Sequence, residues 1–342
     1  MLPVCILHLK DPDPYYRGKG WALYLHWCLD NLFSLLPQHL IDRLPETYVD
    51  PVATANGENG RLRRLLMEGI EVQVSEDRRL SPRHSLRFVT SVGKEITGIS
   101  AASSPTSVSA QFGDGTSASG TLLVGCDGSR SGVRTLLYTL RGSSPKNHAL
   151  PVRFLGACVT YPSDVGRVMQ EKDPFCFQGG DPRTDSFFFF SFLDTPANND
   201  REDRSTFDCQ IIVRWPYRAG FLGRDEPTEI PAVNEARLRL MKKITDGWVS
   251  PYRDVVRDIP ENTPVQQIRL EDWPPEEDSW ENFEGRATLV GDAAHAMTMF
   301  EVRGEAAHHG VRDVQCWLNL LLTHIGNGSF ALLEVQFLLL EE

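Results

Sequence analysis

The stretch Ala287-Thr-Leu-Val-Gly-Asp-Ala-Ala-His295 constrains this chain more than any other. Thr288, Leu289 and Val290 form a short apolar run that reads as a buried strand, and the run stops at a Gly-Asp pair before small, helix-tolerant residues. Gly291 lets the backbone pass close to another group, and Asp292 places a carboxylate at the carboxyl end of the strand. In an open α/β sheet, that end is where ligands bind. A second stretch of the same build, Leu122-Leu-Val-Gly-Cys-Asp-Gly128, lies far upstream and continues as Ser129-Arg-Ser-Gly-Val-Arg134. It predicts a strand, an Asp-Gly turn and a helix to about Leu140, capped by Ser129 or Ser131. Unsatisfied N–H groups at such a helix start make an anion site. The two stations are expected to converge on one dinucleotide.

Taken in order, residues 1–10 read as one strand, and Asp11-Pro-Asp-Pro14 breaks it. Apolar residues at helical spacing predict a helix from Trp21 to Leu36, stopped by Pro37. The Gly-x-Gly ahead of it, in Tyr15-Tyr-Arg-Gly-Lys-Gly-Trp21, reads as a turn or a phosphate cradle. Asn59 to Met67 predicts a short basic helix whose Arg61 and Arg64 either form a solvated face or reach a pyrophosphate. Residues 70–120 read as a β-meander with a hairpin at Gly113-Asp-Gly115. From Pro151 four aromatic strands (Val152–Tyr161, Phe175–Gln178, Phe187–Leu193, Phe207–Trp215) predict a second sheet. Within it the run Phe187-Phe-Phe-Phe190 is weighed as core ahead of pocket wall. Helices at Val233–Asp246 and Tyr252–Asp258, a strand at Val265–Leu270 and a linker from Asp272 to Asp278 follow, then a helix from Ala306 to Leu322. Leu332 to Leu340 reads as a short amphipathic piece or a frayed end.

Charge and cysteine usage exclude some functions. With 35 basic against 46 acidic residues the net charge is −11, which argues against nucleic-acid or anionic-membrane partners. Seven scattered cysteines without a Cys-x-x-Cys pair read as reduced thiols of a cytoplasmic protein, and no metal site is predicted. No apolar run reaches the ~18 residues of a membrane span, and the amino terminus lacks the features of a signal peptide.

On the two stations the chain resembles the FAD-dependent aromatic hydroxylases, the single-component flavoprotein monooxygenases related to para-hydroxybenzoate hydroxylase. Leu123-Val-Gly-Cys-Asp-Gly-Ser-Arg-Ser-Gly-Val-Arg134 is similar to that family's Asp-Gly motif, and Leu289-Val-Gly-Asp-Ala-Ala-His295 to its Gly-Asp motif. Arg303-Gly-Glu-Ala-Ala-His-His-Gly310 resembles the helix opening that follows, in a form associated with fungal members and secondary metabolism.

The resemblance implies an α/β FAD/NAD(P)-binding, Rossmann-like domain into which a mostly antiparallel, α+β substrate-binding sheet is inserted. The boundaries it suggests are 1–148 and 276–325 for the FAD-binding parts, 149–275 for the substrate domain and 326–342 for a tail. It implies FAD as cofactor, NAD(P)H as co-substrate, and hydroxylation or epoxidation of an aromatic or polyketide-like small molecule by molecular oxygen through a flavin hydroperoxide. Asp292 and Gly291 would then hold the ribityl chain, and Asp127 and Gly128 the pyrophosphate side, with Arg61 or Arg64 also able to reach it. Arg303, Gly304 and Glu305 would open a helix toward the flavin ring. No catalytic side chain is singled out, and His295, His308 and His309 read as packed or capping groups.

The chain also departs from the family. It lacks the amino-terminal Gly-x-Gly-x-x-Gly unit that binds the ADP half of FAD, so either Val4 to Leu9 substitutes for part of that unit or the Rossmann-like domain is N-terminally incomplete, with a central parallel strand missing. Glu301-Val302 look like an insertion, and His308 stands where an Asn is expected. These departures suggest an incomplete gene product. They leave two alternatives beside the monooxygenase: a non-redox, flavoprotein-like fragment, and an isomerase or cyclase on the same fold.

Overall fold

The two apolar runs that dominate the sequence lie side by side as parallel strands. In the computed structural model, the residues described are 38–50, 94–104, 106–198, 205–274 and 279–296, the single positions 33, 36 and 52, and the strand segments 4–9, 23–24, 57–58, 87–91 and 336–341. A wholly parallel sheet runs in the order β16 (Ala287–Leu289), β8 (Leu122–Cys126), β17 (Gln336–Glu341), β1 (Val4–Leu9) and β4 (Arg87–Ser91). The residues read as a tail or frayed end therefore supply the middle strand, and Val4–Leu9, offered as a substitute for part of the missing unit, lies beside them in the same sheet. β4 belongs to this sheet and not to the meander, which is reduced to β5 (Ile96–Ala101), β6 (Val108–Phe112) and β7 (Ser117–Gly120). Its Gly113-Asp-Gly115 hairpin forms as predicted, with Gly115 at φ 81°.

Helix α2 (Gly132–Leu140) packs on β8 so closely that a Cβ on Gly125 would stand 2.8 Å from Val133 and 2.9 Å from Leu289. Together with Val108, Ala110, Leu123, Leu137 and Ala293 these residues form the core of this half.

The second sheet is antiparallel, in the order β11 (Cys176–Asp181), β12 (Ser186–Asp194), β13 (Thr206–Pro216), β10 (Val152–Pro162) and β14 (Val265–Ile268). One face is covered by α3 (Ser163–Gln170), α4 (Asn234–Thr245) and α5 (Tyr252–Arg257), and the apolar side chains between them form the largest buried cluster. Two short ribbons, β9 (His148–Ala149) with β15 (Glu271–Asp272) and β2 (Leu23–Tyr24) with β3 (Gly57–Glu58), and the short helix α1 (Gln38–Ile41) lie outside these sheets. The β2 ribbon corrects the start of the helix read from Trp21 to Leu36, because at Leu23–Tyr24 pairing with a distant segment overrides the local helical period, whereas Phe33 within the same span is helical. No helix among the described residues is long and apolar enough to cross a membrane.

Candidate functional site

Register brings the two stations together. Leu289 pairs with Gly125, and the Val290 N–H donates to the Gly125 carbonyl at 2.9 Å, so the chain leaves both strands at the same end of the sheet. Cys126-Asp127-Gly128 and Gly291-Asp292 are then neighbouring loops. Both glycines sit at positive φ, 73° for Gly128 and 61° for Gly291, backbone that a Cβ disfavours. Around the place where a Gly291 Cβ would stand, nothing among the described residues lies within 4 Å. Asp292 opens the short helix α6 (Asp292–His295), and its side chain is exposed.

The Asp292 carboxylate has no hydrogen-bond partner among the described residues, and the protein packed around it pushes its pKa up. His295 and Arg134 oppose that shift without cancelling it. This is an under-satisfied acceptor at the open end of a strand.

The Asp127 carboxylate is turned inward. It is 7% exposed, accepts from the Ser131 hydroxyl, and accepts from the Val133 N–H at 3.0 Å. The Ser131 Oγ accepts in turn from the Arg134 N–H at 2.8 Å, so Ser131 is the helix cap. Of the N–H groups at the start of α2, those of Val133 and Arg134 are thus engaged by the protein's own side chains. Asp127 fixes the Asp-Gly turn and the helix start, and the Gly128 carbonyl accepts from the Ser131 N–H at 3.2 Å.

Arg134 was in the motif, but its role was not readable. It is 2% exposed and lies between the two loops. One guanidinium nitrogen donates to the carbonyls of Asp292 and Ala293 at 3.2 and 3.0 Å. The other donates to the Ser129 carbonyl and to Asn147 Oδ1 at 2.6 and 2.7 Å. The Trp273 ring lies 4.4 Å from the guanidinium carbon, so the residue read as part of a linker is a buried lid over the cation. Burial pulls the Arg134 pKa down, while Asp127, Tyr138, Asp292 and Glu271 hold it up. Asn147 continues the network to Ser129 and Glu271, and Glu271 also binds Arg130. Arg303, Gly304, Glu305, Arg61 and Arg64, with His308 and His309, lie outside the described residues.

On the antiparallel sheet the phenylalanine run divides by strand alternation, which corrects its reading as core throughout. Phe188 and Phe190 point to the helices and are 3% and 0% exposed, whereas Phe187 and Phe189 are half-buried on the other face. Register puts Phe189 beside Gln178 and Ile212 on that second face, and Ser191 beside Cys176 and Gln210. Ser191 and Gln210 are buried there and meet at 3.4 Å, a polar centre in an aromatic wall.

No protein-family model matches the sequence. A protein of Arthroderma benhamiae that carries the name probable FAD-dependent monooxygenase is 49% identical over 345 residues, which span 92% of this chain and 75% of that one. FAD-dependent monooxygenase tazP of Aspergillus terreus is 33% identical, with 96% and 83% of the two chains covered. Among solved structures, a Photorhabdus luminescens protein classed with FAD-containing monooxygenases matches with a TM-score of 0.63 at 15% identity, covering 97% of this chain and 91% of its own. The 2,6-dihydroxypyridine-3-hydroxylase of Arthrobacter nicotinovorans matches at 0.58 and 16%, covering 92% and 83%. At these identities the structures speak for the fold alone.

Proposed function

The chain belongs to the FAD-dependent monooxygenases, and on that premise we propose that Gly291 and Asp292 hold the ribityl side of the flavin. The wider reading is NAD(P)H-driven hydroxylation or epoxidation of an aromatic or polyketide-like molecule. The observation that carries it is the Asp292 carboxylate, without a partner among the described residues and raised in pKa, beside the open backbone of Gly291. The residues fit the cofactor there: paired hydroxyl donors supply the hydrogen bonds this carboxylate lacks, and a glycine lets the chain approach them. Bound FAD supplies two-electron chemistry with a nicotinamide donor and the activation of oxygen.

The protein's part is binding, orientation and exclusion of water. Asp292 accepts from the polyol. Arg134 is a positioning residue: by gripping the Asp292 and Ala293 carbonyls and the Ser129 carbonyl it fixes the separation of the two loops. Asp127 acts on the Gly128 turn in the same indirect way. Arg303, Gly304 and Glu305 stand by motif at the flavin ring, and Arg61 or Arg64 at the pyrophosphate. Phe187 and Phe189, with Ser191 and Gln210 behind them, form the apolar substrate wall with one polar anchor row.

Replacing Asp292 by Ala tests the assignment. The variant is expected to purify folded, by circular dichroism, with flavin absorbance reduced at least about tenfold relative to protein. An unchanged flavin content would remove Asp292 from the site.

A further inference from the structure

The helix side of the antiparallel sheet carries a cavity of about 490 Å³ that none of these roles uses. It lies at the outer edge, against β11, three strand spacings or ~14 Å from β10. Its floor is aromatic. Trp248 meets Phe188 edge to face with centroids 5.5 Å apart, and Tyr252 meets Phe177 in the same way at 5.6 Å. The hollow has a sequence cause in Gln178-Gly-Gly-Asp181. Gly179 pairs with Phe188, and among the described residues nothing lies within 4 Å of where its Cβ would stand, so the space above this glycine, beside the edge of the buried Phe188 ring, stays open.

The polar groups are unevenly committed. Arg183 donates to both Asp181 oxygens, at 2.9 and 3.0 Å, and to the Gly247 carbonyl at 2.9 Å, which fixes the wall between the β11–β12 hairpin and the end of α4. Lys172, also lining the cavity, has no ion pair among the described residues. Trp248 is 9% exposed, and its indole N–H is buried without a hydrogen-bond partner among the described residues. Val249 at the rim is 70% exposed, apolar surface that a ligand would cover.

Aromatic edges, and an ammonium without an ion pair among the described residues, around a volume of this size suit a flat acid. We propose that this cavity binds a fused-ring aromatic carboxylate, as a site separate from Gly291 and Asp292. The ring lies against Phe188 and Trp248, and the carboxylate pairs with Lys172. The ligand then presses on the strand whose Phe187 and Phe189 face the opposite way, so its occupancy bears on the substrate wall. The inference does not rest on the flavin assignment.

The test is calorimetric titration of purified protein with 2-naphthoate, alongside the uncharged 2-naphthamide. Saturable binding with a Kd below about 1 mM is expected. Gly179→Leu fills the hollow and is expected to weaken both probes roughly tenfold or more, while Lys172→Met weakens the acid roughly tenfold and leaves the amide unchanged. Thermal melts check that each variant is folded, and Lys172→Met, at an exposed position, serves if Gly179→Leu is not. The proposal is overturned by the absence of saturable binding, by equal affinity in folded Gly179→Leu, or by acid binding that Lys172→Met does not weaken. Binding at the flavin site would show as a changed flavin spectrum with affinity unaltered by Gly179→Leu, and would overturn it as well.

Discussion

Arg134 holds together two loops that are 158 residues apart in sequence. Replacing it with Lys is not conservative, because an ammonium cannot span four acceptors and stack on Trp273 at once. Arg134→Lys is expected to cost about 2–4 kcal/mol in urea unfolding and to lower flavin content, since buried carbonyls lose their donors. At Asp292 the sign reverses. Although the side chain reaches solvent, the protein packed around it raises its folded pKa above the ordinary value, so the ionised form opposes folding at neutral pH, and this penalty disappears as pH falls below the unfolded value of ~3.9. Asp292→Asn is therefore expected to raise the Tm of flavin-free protein at pH 7 while weakening flavin retention, with no gain in Tm near pH 3. A variant less stable than the parent at pH 7 would contradict this. Both aspartates were readable from sequence because strand, glycine and carboxylate are adjacent there. The inward turn of Asp127 was not, since it depends on Ser131 and Val133 folding back over it. Nor was Arg134's grip, because its partners lie in distant segments.

At the level of elements, strands with strong alternation and long apolar helices were well placed, and the errors fall where local pattern is weak. Helix α3 was missed because its eight residues follow Pro162 directly and include Gly166, which lowers helical propensity. The structure gives the reason for that glycine: a Cβ there would lie 2.2 Å from the Phe207 ring. Gly166→Ala should raise intrinsic helicity yet destabilise the protein by about 1–3 kcal/mol, because the overlap is with the root of a buried ring that has nowhere to go. Chemical denaturation would show it, and a neutral or stabilising result would mean that α3 can slide on β13. The phenylalanine run teaches the same lesson for strands. Its four rings look alike in sequence, and only pairing with β11 and β13 assigns two to the core and two to the opposite face.

For the whole molecule, the parallel sheet is the feature that sequence order hides most. Apolar runs at Val4–Leu9 and Leu122–Cys126 could be read as strands, but nothing local in Gln336–Glu341 reveals that it lies between them. Removing residues 336–342 is expected to expose the edges of β1 and β8 and to shift the protein into the insoluble fraction. Full solubility and an unchanged melting curve would show that the middle strand is dispensable. The arrangement also has a consequence in time. The antiparallel sheet draws its strands from Val152 to Ile268 and can assemble as soon as that stretch has left the ribosome, whereas the parallel sheet waits until Gln336–Glu341 has been translated. During synthesis, then, the two loops that meet at Gly128 and Gly291 are made before the strand that completes the sheet beneath them, and the cleft between those loops matures after the antiparallel sheet.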